Sequence, residues 1–167
     1  MGTRVRMTAL SLALLAALAS RAQAQQGDDQ PFAMLGPSIG QLTGGGLRAT
    51  LIGAEYLQME PGHLGARIYL GTLREAVTSG NLWIETEIGP AYDFRVAPDF
   101  SLVPAAGINI GSNGKGTVWG VQAALGATYQ ATTRIAARVQ VGRRWWRFDQ
   151  TWFGLTEWTV GLSYRLR

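Results

Sequence analysis

Residues 117–129, TVWGVQAALGATY, decide the fold of this chain. The odd positions are mainly apolar and include Trp119 and Tyr129 near the two ends, whereas the even positions are small or polar. A period of two is typical of a β-strand with two unlike faces. The surrounding uncharged stretch, 116–133, is nearly as long as a membrane-spanning helix, but its glycines and polar residues recur at every second position. The pattern therefore predicts a strand.

The same alternation recurs along the chain, with turn-forming clusters between the segments. It is clear in 82–94, 100–111, 135–146 and 158–166, and weaker in 32–41, 48–57 and 64–73. We therefore predict an all-β fold, an eight-stranded antiparallel up-and-down barrel, whose even strand number returns both chain ends to one side. The connections 43–46, 75–81, 112–116 and 147–154 would lie at one end of the barrel, and 58–63, 95–99 and 130–134 at the other.

The first 24 residues have the three parts of a secretory signal peptide in order. Arg4 and Arg6 precede an apolar run from Ala9 to Ala19, and Ala22-Gln23-Ala24 offers a cleavage site before Gln25. The alternative is a membrane anchor, but the apolar run is shorter than the roughly 20 residues that a spanning helix needs. We predict a signal peptide over 1–24, a flexible lead over 25–31 and a barrel domain over 32–167.

The composition narrows the possible classes of protein. Twenty-two glycines and six tryptophans argue against long helices and against disorder. The chain has no cysteine, so an exported domain must be stabilised without disulfides, as a closed barrel is. Three arginines lie within the predicted signal, which leaves twelve basic and eleven acidic side chains and argues against nucleic-acid binding.

The aromatic residues indicate which face of the sheet meets lipid. On the aliphatic face, Tyr92, Phe94, Tyr129 and Tyr164 fall near one end of their strands, and Trp119, Trp145 and Trp158 near the other. High β-propensity alone could place these residues in strands. Two aromatic girdles about nine or ten residues apart are, however, the pattern of a barrel whose apolar face contacts a bilayer. We therefore predict a transmembrane barrel in preference to a soluble calyx.

The opposite face carries charges that would lie inside such a barrel. These are Glu85, Glu87, Arg138 and Arg144, with Glu55 and Arg67 placed less directly because their segments alternate weakly. Side chains just fill the interior of an eight-stranded barrel, and buried charges must be paired there. We predict a carboxylate–guanidinium network that closes the lumen. The alternative is that some of these charges lie in solvated rims.

Three segments carry a resemblance to a known family. Residues 91–102 and 126–135 look like tight periplasmic turns, and 158–166 is similar to an alternating terminal strand. The chain resembles the small outer-membrane β-barrels of the OmpA and OmpX type from Gram-negative bacteria. The resemblance implies a cell outer-membrane location and recognition of the last strand by the assembly machinery. Arg167 departs from the usual terminal aromatic residue.

Two prolines depart from the strand pattern. Pro90 and Pro104 each lie five residues from the 95–99 connection. Because proline removes a ladder hydrogen bond, we expect both residues at a bulge or near the barrel rim.

The sequence offers little for catalysis. The resemblance admits lipid A-modifying barrels, which need a histidine beside a serine or an acid. The single histidine, His63, follows Pro61-Gly62 in a predicted periplasmic turn, away from the outer leaflet.

Metal and phosphate motifs are also missing from the sequence. Zinc sites need several His or Cys ligands, and Gly44–Gly46 lacks the strand–helix context of a phosphate loop. We predict no catalytic, metal or cofactor residues and a structural or interaction role. The alternatives are a soluble periplasmic calyx for an apolar ligand and a lipid A-modifying enzyme.

Residues 143–147, RRWWR, form the one basic aromatic cluster. At the outer rim, Arg143 and Arg147 could contact lipopolysaccharide phosphates while Trp145 lies at the interface. The alternative is an ordinary aromatic belt with solvated charges. The predicted partners are therefore outer-membrane lipids and lipopolysaccharide, together with the assembly machinery.

Overall fold

A computed structural model describes residues 30–75 and 82–166. These residues form nine β-strands: β1 (Phe32–Gly44), β2 (Leu47–Met59), β3 (Leu64–Glu75), β4 (Leu82–Tyr92), β5 (Phe94–Ala97), β6 (Phe100–Ser112), β7 (Thr117–Gln130), β8 (Ile135–Phe148) and β9 (Thr151–Leu166). The predicted signal peptide, residues 25–29 of the predicted flexible lead, residues 76–81 of the predicted 75–81 connection and Arg167 lie outside the described residues. No described helix is long and apolar enough to cross a membrane.

β4 and β5 are two parts of one barrel strand. Both pair with β6, and the register that joins Ile88 to Ile108 continues unchanged to the pair Phe94–Leu102. Only Asp93 separates the two segments. The nine segments therefore make eight barrel strands, as predicted.

The sheet closes on itself. Its strand order is β4-β3-β2-β1-β9-β8-β7-β6-β5, every pairing is antiparallel, and the additional β4–β6 pairing joins the two ends. Closure removes the free edges that an open sheet would present. The predicted up-and-down barrel is confirmed. We call the end with Phe32 and Leu166 the terminal end and the opposite one the loop end.

Two connections at the loop end are shorter than the sequence indicated. The predicted connection 147–154 is wrong: β8 runs to Phe148, β9 begins at Thr151, and only Asp149 and Gln150 turn between them. Their φ angles of 42° and 68° match a two-residue hairpin, whose twist suits the flanking strands. Strand pairing thus extends through most of the segment that had been predicted as a connection. The 43–46 connection likewise shrinks to Gly45–Gly46.

The prolines lie where pairing between β4 and β6 is interrupted. The β4–β6 ladder passes from Ile88–Ile108 directly to Ala91–Ala105 and omits Pro90. Pro104 lies on β6 between the pairs Ala91–Ala105 and Phe94–Leu102, where no further pairing with β4 or β5 is present. Pairing is therefore interrupted at both prolines, but the register does not shift there, so the prolines do not lie at a bulge.

The outer surface of the barrel is apolar. Outward positions carry exposed large hydrophobic side chains on every barrel strand, among them Ile39, Ile52, Leu70, Ile84, Ile108, Leu125, Val141 and Leu162. A soluble protein rarely exposes such a continuous apolar surface, whereas a transmembrane barrel requires it. Trp119 and Tyr129 bound this band on β7 and are both exposed. Tyr92 and Phe94 are only half-buried and stack on each other, with ring centroids 4.4 Å apart.

Two apolar layers cross the interior, one toward each end. The loop-end layer consists of Leu42, Ala49, Leu51, Leu73, Val118, Trp146 and Leu155. The terminal-end layer consists of Met34, Leu57, Met59, Ala91, Val103 and Ala136. On β2, Glu55 lies between residues of the two layers, so the polar interior is enclosed above and below.

Candidate functional site

The interior charges come from alternate, inward-facing positions of the strands. The structure places the predicted lumen residues Glu85, Glu87, Arg138 and Arg144 inside the barrel, each at most 7% exposed. Glu55 and Arg67, which the sequence placed less directly, are buried with them. None of these six side chains lies in a solvated rim.

Arg144 on β8 is the centre of the network. Its Nη1 donates to both carboxylate oxygens of Glu85, at 2.8 and 2.7 Å, and its Nε donates to Oε2 of Glu157 at 2.5 Å. Its Nη2 lies 3.5 Å from Oε2 of Glu87. One fully buried guanidinium thus joins β8 to β4 and β9.

A second group of ion pairs continues from Glu87 toward the terminal end. Arg67 on β3 donates to Oε1 of Glu87 and lies with its Nε 3.1 Å from Oε2 of Glu55. Arg138 on β8 pairs with the other oxygen of Glu55. The pairs therefore form one connected chain: Arg138–Glu55–Arg67–Glu87–Arg144.

Amide side chains complete the network. Gln122 and Gln140 both donate to Oε1 of Glu157, at 2.5 and 3.0 Å. Arg138 donates to Oε1 of Gln140 at 3.3 Å, which links the two ends of the ion-pair chain. A buried charged group needs hydrogen-bonding or ion-pair partners on several sides. The network therefore connects strands that are distant in sequence.

The sequence interpretation missed Glu157, Gln122 and Gln140 as members of the site. Glu157 was missed because the clear alternation of the last strand begins only at Trp158. Extending the alternation of 158–166 backward by one residue would have placed Glu157 on the inward face. The two glutamines stood on the polar face of their segments, but nothing in the sequence showed that they would meet one carboxylate.

The outer-rim cluster faces outward near the loop end of β8. Nη1 of Arg143 donates to Oγ1 of Thr156 at 3.1 Å, and its guanidinium lies beside Gly154, which is paired with Trp145. The Arg143 head group therefore reaches toward the loop end, to the level of the indole.

A second cation lies beside the aromatic residues of the same rim. The guanidinium of Arg147 is 5.7 Å from the ring of Trp119, which packs edge-on against Trp152 with centroids 5.3 Å apart. The rim thus combines cations with indoles on the lipid-facing surface.

His63 lies at the terminal end, where its Nδ1 is 3.6 Å from Oδ2 of the buried Asp93. This places the single histidine on the side of the barrel opposite the loop-end rim. No group of three or more His, Cys, Asp or Glu within the described ranges could hold a metal ion.

A cavity of about 240 Å³ opens at the loop-end mouth. Its lining is mostly apolar: Leu47, Trp83, Val118, Trp146, Phe148, Phe153 and Leu155, together with Gly44, Gly45 and Glu75. Phe148 and Phe153 occupy inward-facing positions yet are 43% and 39% exposed. Their rings therefore face the mouth and not the bilayer.

The geometry defines a closed transmembrane β-barrel with a charged interior.

Comparison with known proteins supports this fold. No family model and no curated protein matches the chain. The N-terminal barrel domain of Pseudomonas aeruginosa OprF aligns with a TM-score of 0.62 at 11% identity, covering 83% of this chain and 100% of that one. Neisserial surface protein A aligns at 0.59 and 11% identity, covering 80% and 96%. Ail of Yersinia pestis aligns at 0.53 and 12% identity, covering 83% and 98%. The chain therefore has the fold of the small eight-stranded outer-membrane β-barrels.

Proposed function

We propose that this protein is an outer-membrane barrel with a structural or interaction role and a lumen closed by its Arg/Glu network. The observation that carries the proposal is Arg144, buried among three carboxylates between two apolar layers. To cross the lumen, a hydrated ion would have to displace side chains in both apolar layers and in the charged network between them. Separating the buried ion pairs would cost several kcal/mol, which opposes a steady open path.

Planar-bilayer recording tests the closed lumen. The wild-type protein should add no large, steady conductance to the membrane. The triple variant Arg144→Ala/Glu85→Ala/Glu157→Ala, which removes side-chain volume as well as charge, should conduct more often. Arg143→Ala, one residue away on the outer face, is the matched control and should behave as wild type. A large, steady conductance from the wild-type protein would overturn the proposal.

We further propose that the loop-end rim contacts lipopolysaccharide through Arg143, Trp145 and Arg147. Two guanidiniums can bind phosphate oxygens in a bidentate manner while indoles lie at the headgroup level. The positions of Arg143 beside Gly154 and of Arg147 beside Trp119 support this proposal, because both cations are held at the level of the indoles.

Copurification of lipopolysaccharide tests the rim. Replacing both arginines with serine should reduce the lipopolysaccharide retained by the purified barrel. Arg134→Ser, an exposed cation at the terminal end, should leave retention unchanged. Unchanged retention in the double variant would dismiss a specific contact.

The exposed rings at the mouth also favour an interaction role. Phe148 and Phe153 line the apolar loop-end cavity yet remain partly exposed, and a contiguous exposed apolar surface supports an interaction role. The calyx alternative requires a polar exterior, whereas the outward-facing side chains of this barrel are mainly apolar. The enzyme alternative is tested by deletion: an unchanged lipid A mass profile would exclude it.

A further inference from the structure

The interior network contains more acids than bases. Seven buried side chains belong to it: the carboxylates Glu55, Glu85, Glu87 and Glu157, and the guanidiniums Arg67, Arg138 and Arg144. These three arginines are the buried cations of the described chain, and residues 76–81 contain no charged side chain. If all seven groups were ionised, the network would carry one uncompensated negative charge.

The excess is located at Arg144. Along the chain of ion pairs, acids and bases alternate from Arg138 to Glu87, but Arg144 then meets two further carboxylates, Glu85 and Glu157. An uncompensated buried charge is costly, and carboxyl groups that share a site cannot all ionise together. A proton on one of the three acids would make the network neutral.

We propose that the network binds one proton at neutral pH, held by Glu87 against Asn109. Glu157 accepts hydrogen bonds from Arg144 and two amides, and Glu85 accepts two from Arg144. These contacts suit ionised carboxylates. Oε2 of Glu87 has the longest contact to Arg144, 3.5 Å, and is therefore the carboxyl oxygen best able to carry a proton.

Asn109 provides an independent observation. It lies directly opposite Glu87 in the β4–β6 pairing and is 1% exposed, so both side chains face the same part of the lumen. Its amide oxygen and nitrogen have no hydrogen-bond partner among the described residues. Either form of Glu87 could accept from the amide nitrogen, but only a protonated Glu87 could donate to the amide oxygen. A protonated carboxyl would therefore satisfy a buried oxygen that a carboxylate cannot, and it would also balance the charges.

The proton makes barrel stability depend on pH. The groups that face Glu87 are Arg67 and Tyr69 from β3, Glu85 from β4, Asn109 from β6, Arg144 from β8 and Glu157 from β9. The unfolded chain has released this proton at neutral pH, so the folded barrel binds one more proton than the unfolded chain. Stability should fall as the pH rises above the range in which a free glutamate titrates, by up to about tenfold in the folding equilibrium constant per pH unit, and should level off once the folded barrel also releases the proton.

Carboxyl carbon chemical shifts of the refolded barrel test the proposal. At neutral pH, the assigned side-chain carboxyl of Glu87 should have the shift of an acid, and those of Glu55, Glu85 and Glu157 the shifts of carboxylates. Four carboxylate shifts would overturn the proposal, including the case in which a bound sodium or potassium ion supplies the charge. An acid shift at a residue other than Glu87 would overturn the assignment to this site. The result is independent of whether the lumen conducts.

Urea unfolding of variants provides the second measurement. Glu87→Gln mimics the protonated side chain and should remove the loss of stability that accompanies a rise in pH from mildly acidic to neutral values. Glu60→Gln, an exposed acid in the β2–β3 connection, should keep the wild-type slope. If Glu87→Gln does not fold, Glu85→Gln balances the same charges and should also remove the slope. A wild-type slope in whichever of these two lumen variants folds would overturn the proposal.

Discussion

Replacement of Arg144 by methionine is the perturbation whose consequence the structure defines best. Methionine keeps much of the side-chain length but removes four hydrogen bonds to three buried carboxylates. Removing one partner of a buried ion pair costs about 3–5 kcal/mol. The individual hydrogen bonds cannot simply be added, because they share one guanidinium and the released acids can take up protons. We expect the free energy of unfolding to fall by about 4 kcal/mol, roughly a thousandfold in the equilibrium constant.

Urea titration of the barrel refolded in phospholipid vesicles, followed by tryptophan fluorescence, measures this loss. Arg143→Met on the adjacent, outward-facing position is the matched control and should lose no more than about 1 kcal/mol. The variant Arg144→Met/Glu85→Gln/Glu157→Gln should recover at least half of the loss, because it leaves fewer uncompensated charges. A loss below about 1 kcal/mol for Arg144→Met would refute the reasoning that this guanidinium holds the interior together.

Two further substitutions test backbone features of the barrel. A Cβ at Gly36 would collide with the backbone carbonyl of Leu162 where β1 pairs with β9. Gly36→Ala should therefore lower the free energy of unfolding by about 1–3 kcal/mol and shift the urea midpoint to lower concentration. Gly116→Ala is the control and should leave the midpoint unchanged, because a Cβ there makes only ordinary contacts. Gln150 turns with a φ of 68°, so Gln150→Gly should stabilise the β8–β9 hairpin by about 0.5–1 kcal/mol in the same titration, and a destabilisation would contradict the turn assignment.

Much of the fold could be predicted because a period of two separates the two faces of every strand. The alternation of 117–129 and 135–146 separated an apolar face from a polar one. The positions of the aromatic residues then indicated that the apolar face contacts lipid and does not form a protein core. The weak segments β1–β3 were placed only by spacing, since their glycines interrupt the pattern. Their contacts with neighbouring strands, which no local pattern records, determine their bounds.

The network itself could be predicted only in part. Inward charges such as Glu85 and Arg144 follow from strand phase, but their partners depend on which strands become neighbours and in what register. Glu157 illustrates the limit. The predicted last strand began at Trp158, seven residues after the observed start at Thr151, and therefore left out the acid that accepts a 2.5 Å hydrogen bond from Nε of Arg144. The excess of carboxylates at this guanidinium could be counted only after the missing acid had been placed.

Photochemical labelling from the bilayer tests the central assignment of the two faces most directly. Phospholipids with a photoreactive group in the acyl chain should label outward residues of β8, such as Val139 and Val141, when peptides from the refolded barrel are sequenced by mass spectrometry. Arg138, Gln140 and Arg144 on the same strand should remain unlabelled. Labelling of these three residues, with the aliphatic residues protected, would contradict the assignment of the apolar face to lipid.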